Sequence, residues 1–483
     1  MFSEETIVAI STPAGRGGLG VVRLSGPTAI EIASRLIKLP HQLETQRATL
    51  GLFAPEESGR ALDQVVVTCF RAPHSYTAEA VVEISCHGAP VILGYLVECC
   101  VKAGARAAEP GEFTRRAFLN GRIDLTQAEA VRDLIESQTL YQARVAAQQL
   151  EGSVSIRLKP HKQTLLDLIA RLEAGIDFAE DDVSVIDWQE ILARLDRISA
   201  DLQKLVKGYE YGRIVREGLT LAIVGRPNVG KSSLFNRLLN EERAIVTPIP
   251  GTTRDTVTET ANVGGIPLRF VDTAGIRESS DEVEQIGVKR TFSAIADSDL
   301  RLLVVDASGP WTKEDTALLE KLRPLGSLLV AMNKSDLPSR ISDIELGFTT
   351  AYAPYAPAGE TTGAPDDSLE GAFKAGTPVE LVHTSALSGD GIADLKEKIL
   401  ALAAPSHGTA AEGEIITNLR HWQLIETSLA GLAKARQAAE QKTHHEMLLL
   451  DLYDALRPLD LITGATHADD ILGIIFSTFC VGK

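Results

Sequence analysis

The sequence predicts a multidomain chain of mixed α+β and α/β architecture. An N-terminal α+β domain comes first, followed by a discontinuous all-helical domain into which a phosphate-binding α/β domain is inserted. Three observations carry this reading. Short β-like runs separated by turns fill residues 1–118, and apolar residues recur at helical spacing in 119–216 and again in 405–483. Between those helical parts, residues 217–404 hold apolar strand-like runs that each end on a short polar motif. A chain of 483 residues is long enough for three such units, each with its own core.

In the first unit the strand-like runs are Thr6–Ile10, Gly20–Leu24, Val65–Cys69 and Val81–Ile84. Gly15 to Gly20 formally satisfies the dinucleotide pattern G-x-G-x-x-G. That pattern signals a dinucleotide when it opens a helix, and here it leads into a strand, so a turn is the reading. The pair Cys99-Cys100 lies on an apolar helical stretch after Pro90, where core packing is its expected role.

Beyond residue 119, Ile191, Leu195, Ile198, Leu202 and Leu205 fall on one helix face, and Trp422, Ile425, Leu429 and Leu432 repeat that spacing. Asp177 to Asp182 ends one helix and reads as a solvated acidic loop rather than a metal site. A domain whose termini lie close together can interrupt such a helical unit without disturbing its core.

The inserted unit carries the chemistry. Residues 225–232, Gly-Arg-Pro-Asn-Val-Gly-Lys-Ser, follow the apolar run Leu219–Val224 and precede the helical Ser233–Leu239, which is the context of a phosphate-binding loop. Gly225 and Gly230 let main-chain N–H groups from Asn228 to Ser233 face the phosphates, Lys231 reaches the β- and γ-phosphates, and the Ser232 hydroxyl ligates Mg²⁺. Asp272-Thr273-Ala274-Gly275 follows another strand-like run, so Asp272 can reach Mg²⁺ through water while the Gly275 N–H faces the γ-phosphate. Asn333-Lys334-Ser335-Asp336 closes the run Ser327–Met332. The Asp336 carboxylate accepts two N–H bonds from the edge of guanine, which adenine does not offer, and this selects GTP over ATP. Ser385-Ala386-Leu387, after Val379–His383, backs the base with a main-chain N–H. Gly251-Thr252-Thr253 supplies a threonine that closes over Mg²⁺ when the γ-phosphate is present. Ile276, after Gly275, cannot hydrogen-bond an attacking water, so another group must orient it; Glu284, on the helical stretch that follows, is one candidate and otherwise a surface glutamate.

Composition narrows the classes. A net charge of −17 argues against a general coat for nucleic acid, although a local basic patch is compatible with it. Five cysteines without paired metal spacing suggest a reducing compartment, no apolar stretch reaches the ~20 residues of a membrane span, and no secretory signal opens the chain. The expectation is a cytoplasmic protein that does not enter membranes. Residues 341–377, rich in Ala, Gly, Thr and Pro, read as a surface loop without a functional assignment.

These motifs together resemble the TrmE–Era–Era-like–septin branch of GTPases, with a Ras-like P-loop G domain, and more narrowly the MnmE (TrmE) family of tRNA modification GTPases. The N-terminal segments Pro13–Gly20, Cys86–Gly88, Pro110–Thr114 and Arg116–Gly121, and the terminal Cys480-Val-Gly-Lys483, extend the resemblance over nearly the whole chain. The resemblance implies a K⁺ ion ligated by Asn228 and by main-chain oxygens of Thr247, Ile249 and Thr252, within a nucleotide-contacting stretch that includes Pro248 and Pro250, with Mg²⁺ held by Ser232 and Thr253. It implies Glu284 as the water-orienting catalyst beside Lys231. It also implies that a tetrahydrofolate derivative, in the 5-formyl or 5,10-methylene form, contacts Arg23, Glu83, Arg122 and Lys483, with Cys480 as a candidate catalytic thiol or a buried one. Its further implications are a homodimer, a flavin-containing MnmG (GidA)-type FAD partner in a heterotetramer, and tRNA as substrate, modified at C5 of the wobble uridine. An Era-type ribosome-assembly GTPase is the alternative, but no GXXG loop of a KH module appears after residue 404.

Overall fold

The computed structural model describes residues 5–55, 60–177, 187–241, 260–271, 295–341, 379–403, 415–465, 475–476 and 478–482. Its first unit is built on strands β1 Ile7–Ile10, β2 Gly17–Ser25, β3 Ile37–Lys38, β4 Ala48–Phe53, β5 Asp63–Phe70, β6 Val81–Gly88 and β7 Arg106–Ala107. These form a sheet of order β3-β4-β5-β6-β2-β1-β7. Alternation puts Val65, Val67 and Cys69 of β5 inside, where they meet helices α1 Ala29–Leu36 and α2 Pro90–Lys102 through Ile32, Leu93 and Leu96. The opposite face leaves Leu50 and Val66 exposed. Within the glycine-rich run, Gly20 has a packing role: a Cβ there would lie 2.6 Å from Leu93 Cδ1. Helix α3 Glu112–Leu119 closes this unit.

Next come α4 Leu125–Glu136, α5 Leu140–Leu150, α6 Ser153–Asp177, α7 Trp188–Lys207 and α8 Tyr209–Glu217. Helices α4 and α5 each start on a reciprocal capping box, Asp124 with Gln127 and Thr139 with Gln142, which satisfies donors that a helix start leaves free.

The inserted unit then runs β8 Leu219–Val224, α9 Lys231–Glu241, β9 Thr260–Val263, β10 Ile266–Phe270, β11 Leu300–Asp306, α10 Lys313–Leu322, β12 Leu328–Asn333, β13 Glu380–His383 and α11 Ile392–Ala403. Its sheet has the order β13-β12-β11-β8-β10-β9, parallel except for β9 against β10. Both faces are buried, which is why its strands read as continuous apolar runs. The order reverses at β8, so the loop after β8 sits at the switch point where such sheets bind ligands.

Two long helices, α12 Leu419–Glu440 and α13 His445–Thr463, follow. Their Ile425, Leu432, Leu452 and Leu456 share one core with Leu158, Leu165, Leu172, Ile191, Leu195, Ile198 and Leu202 of α6 and α7. The helical unit is therefore assembled from both sides of the insertion. The buried face of α12 differs from the sequence reading in one respect. It is centred on His421, Ile425, Ser428 and Leu432, while Trp422 and Leu429 lie half-buried at its edge. A polar pairing draws His421 inward, as its Nε2 meets the buried Glu129 carboxylate of α4 at 2.6 Å. Leu205 of α7 is likewise only half-buried at the margin of its face. Among the described residues no helix is long and apolar enough to cross a membrane.

Candidate nucleotide and one-carbon sites

The loop from β8 into α9 is shaped by three backbone positions. Gly225 has φ +154° and Gly230 φ +96°, and a Cβ would come within 2.3 Å of the Val304 carbonyl at the first and 2.2 Å of Asn333 Nδ2 at the second. Only glycine fits either position. Asn228, between them, holds φ +64°. Val229 is buried beneath the loop, and Ser232 and Ser233 lie exposed on the first turn of α9. Lys231 is half-buried there. Its Nζ donates to the carbonyls of Gly225 at 2.8 Å and Arg226 at 2.7 Å, and desolvation lowers its pKa. A partly dehydrated ammonium beside turned main-chain amides is suited to a polyphosphate.

Two further groups fix the loop from outside. Arg226 Nε donates at 2.8 Å to Asp315 Oδ1 on α10, and the Asp315 side chain is fully buried. Asn333, at the end of β12 and 1% exposed, donates through Nδ2 to the Val229 carbonyl at 2.9 Å. Its Oδ1 accepts the Ala386 amide at 3.1 Å. The residues expected to read phosphate and base are thus bonded to one another. Asp336 is exposed, with Oδ1 held at 2.7 Å by the hydroxyl of the buried Ser385. Lys334 has φ +63° and its Nζ lies 2.6 Å from Asp306 Oδ2 at the end of β11. Leu387 is exposed beside them.

Asp306, Asp315 and Arg226 carry no assigned role in the sequence reading. Asp306 was open to discovery, because it closes the apolar run of β11. Asp315 sits in the capping pattern Thr312-x-x-Asp315, which announces a helix start but not a partner.

The one-carbon candidates also converge. Arg23 and Glu83 face each other across β2 and β6, with Nε to Oε1 at 2.9 Å. The Arg23 guanidinium lies 5.5 Å from the Tyr76 ring centre and 5.7 Å from that of Phe113, and Arg122 approaches Tyr76 at 5.8 Å. Tyr76, another residue missed in the sequence, is therefore the common neighbour of both arginines. Burial raises its hydroxyl pKa, and the hydroxyl is paired with Thr114 Oγ1 at 2.8 Å. The terminal segment lies against the same unit. The Cys480 carbonyl accepts the Gly111 amide at 3.4 Å, Val481 bridges Pro110, and the Gly482 carbonyl accepts Ser11 Oγ at 3.1 Å. The Cys480 thiol is exposed, not buried.

Thr247, Pro248, Ile249, Pro250, Gly251, Thr252, Thr253, Asp272, Thr273, Ala274, Gly275, Glu284 and Lys483 lie outside the described residues, as do 342–377 and 178–182. Among the described residues no group of three His, Cys, Asp or Glu side chains is set to hold a metal.

Comparison with known proteins decides the family. The model for the GTP-binding protein TrmE N-terminus matches residues 6–122, and that for the MnmE helical domain matches residues 125–480. The chain belongs to the MnmE family. A relative from Koribacter versatilis, the tRNA modification GTPase MnmE, is 54% identical over the whole of both chains. The MnmE of Aquifex aeolicus is 42% identical over 99% of this chain and all of its own, and that of Acetivibrio thermocellus 40% over the whole of both. The match to the MnmE helical model spans the inserted α/β unit, in keeping with a helical core built from both sides of it.

Proposed function

We propose that this chain is a K⁺-stimulated GTPase which, with an MnmG-type flavoprotein, adds a carboxymethylaminomethyl or aminomethyl group at C5 of the wobble uridine, position 34, of certain tRNAs. The observation that carries the GTP reading is Asn333, which joins the phosphate loop at Val229 to the base-reading segment at Ala386, beside an Asp336 carboxylate fixed by Ser385. Lys231 and the α9 N-terminus bind the phosphates, and Asp336 selects guanine. Glu284 orients the attacking water, and Asp272, Thr273, Ala274, Gly275 and Gly251 complete the nucleotide contacts.

Ser232 and Thr253 hold Mg²⁺, and Asn228, with the main-chain oxygens of Thr247, Ile249 and Thr252, holds K⁺. The left-handed backbone at Asn228 fits that assignment, since it turns the residue out of the regular path into the helix. The ion supplies positive charge beside the β- and γ-phosphates. In the N-terminal unit, Arg23, Arg122 and Glu83 around Tyr76 fit a flat heterocycle with a carboxylate tail, as in a tetrahydrofolate derivative that supplies the one-carbon unit. Lys483 is a further contact for that ligand, and the exposed Cys480 a candidate catalytic thiol.

The working unit is a homodimer, joined to the flavoprotein as a heterotetramer. Support for self-association comes from the exposed sheet face carrying Leu19, Leu50, Leu52 and Val66. Domain bounds of 1–118, 119–216, 217–404 and 405–483 and a cytoplasmic site complete the reading; the free cysteines at 69, 86, 99, 100 and 480 accord with a reducing compartment. The test is the rate of GTP hydrolysis in KCl against NaCl. A strong preference for KCl is expected, and equal rates would overturn the K⁺ assignment at Asn228.

A further inference from the structure

Two adjacent strands of the nucleotide-binding sheet, β8 and β10, are approached at their leading ends by one helix turn. Strand β8 ends at the phosphate loop, and β10 ends at Phe270, two positions before Asp272. At their opposite ends both meet α5. Gln142 Nε2 donates at 2.9 Å to the carbonyls of Val215 and Arg216, the last turn of α8 before β8 begins. Thr139 Oγ1 donates at 2.5 Å to the Gly265 carbonyl in the turn before β10.

That turn is a two-residue hairpin, Gly264-Gly265, with φ +59° and +90°. Its shape is the primed turn that suits strand twist. It is also clamped: a Cβ on Gly265 would lie 2.7 Å from Tyr141 Cβ, and one on Gly264 2.6 Å from Leu400 Cδ1. The Tyr141 hydroxyl meets that of Tyr211 on α8 at 3.0 Å. The hairpin β9–β10 lies in sequence between the two segments expected to sense the γ-phosphate. Five residues of β10 at about 3.3 Å each put its clamped end some 17 Å from the end that leads toward Asp272. Beside it lies a polar cavity of about 390 Å³ lined by Arg132, Asp133, Arg216 and, from β10, Arg269.

We infer that Thr139 and Gln142 are positioning residues that carry the nucleotide state of the inserted domain into the helical unit, by holding the leading ends of β8 and β10. This rests on the GTPase reading above. The hydroxyl of Thr139 has two jobs, as it accepts the Gln142 amide to cap α5 and donates to Gly265. Those jobs can be separated. Thr139→Asp keeps a capping acceptor and loses the donor, while Thr139→Ser keeps both. Gln142→Glu likewise keeps the acceptor for the Thr139 amide and loses the donor to Val215 and Arg216.

The experiment is amide hydrogen exchange along Leu140–Leu150 in the full chain, with GDP and with GDP–AlF₄⁻ in KCl, alongside GTP turnover. The wild type and Thr139→Ser should show a nucleotide-dependent change of about fivefold or more in α5. Thr139→Asp and Gln142→Glu should lose that change while kcat/KM for GTP stays within about threefold. If either retains the full change, or the wild type turns over GTP with no change in α5, the coupling is overturned and the GTPase reading stands. A wild type that hydrolyses no GTP overturns both.

Discussion

The side-chain amide of Asn333 is bonded to the Val229 carbonyl at 2.9 Å, which ties the end of β12 to the phosphate loop. Because Asn333 is buried and also accepts the half-buried Ala386 amide, its removal leaves two main-chain groups, the buried Val229 carbonyl among them, without their partner. Asn333→Ala should therefore weaken GDP binding by about 5- to 150-fold, corresponding to about 1–3 kcal/mol. A fluorescent-nucleotide titration measures this. Unchanged affinity would mean that the loop is shaped without Asn333.

The second anchor of the loop is electrostatic. Asp315 accepts Arg226 Nε along with the amide and hydroxyl of Thr312, at 2.8 to 3.0 Å, and is wholly shielded from solvent. Removing Asp315 leaves the Thr312 amide and the partly exposed Arg226 without their acceptor, so Asp315→Ala should destabilise the inserted domain by about 1–3 kcal/mol. Urea denaturation reads the loss. A change under about 1 kcal/mol would show that the pair has no structural weight.

The strands and the phosphate loop were legible in the sequence because both depend on short-range pattern. Leu219–Val224 and Val81–Ile84 are strands as expected, and the glycine-rich run after Gly15 enters β2 rather than a helix. What was hidden depends on pairs remote in sequence. Nothing near Asp315 points to Arg226, 89 positions away, and nothing near Tyr76 announces two arginines above its ring. The rotation of α12 toward His421 has the same origin. Apolar spacing alone favours Trp422, but the Glu129 carboxylate, 292 positions away, claims the histidine, while Trp422 stacks on Tyr209 at 5.2 Å.

That buried carboxylate also sets an acid limit. Burial alone would raise the pKa of Glu129, but His421 and Arg420 outweigh it and hold the carboxyl at about 2. An unfolded glutamate titrates near 4.3, so the folded state binds its proton less readily and gains stability above that pH. That stability is lost as pH falls from about 4.3 through about 2. Urea midpoints measured from pH 6 to 2.5 should fall more steeply for the wild type than for Glu129→Gln. Parallel slopes would contradict the assignment.

Thiol reactivity should separate the terminal cysteine from the rest. Burial pushes Cys86 up to about 11 and Cys100 up to about 12, and Cys69 and Cys99 are also enclosed, whereas Cys480 is exposed. In the native protein at pH 8, Ellman's reagent should label one thiol in a fast phase, and Cys480→Ser should abolish that phase. A fast phase that survives the substitution would place another cysteine at the surface.

The central claim is that nucleotide turnover at Lys231 serves the modification of a wobble uridine. It is tested most directly by mass spectrometry of tRNA nucleosides from cells with the gene intact, deleted, or carrying Lys231→Ala. Loss of the 5-aminomethyl-type uridines in both the deletion and the variant is the predicted result. Their persistence at intact levels in the deletion would contradict the account and leave a GTPase with a different client.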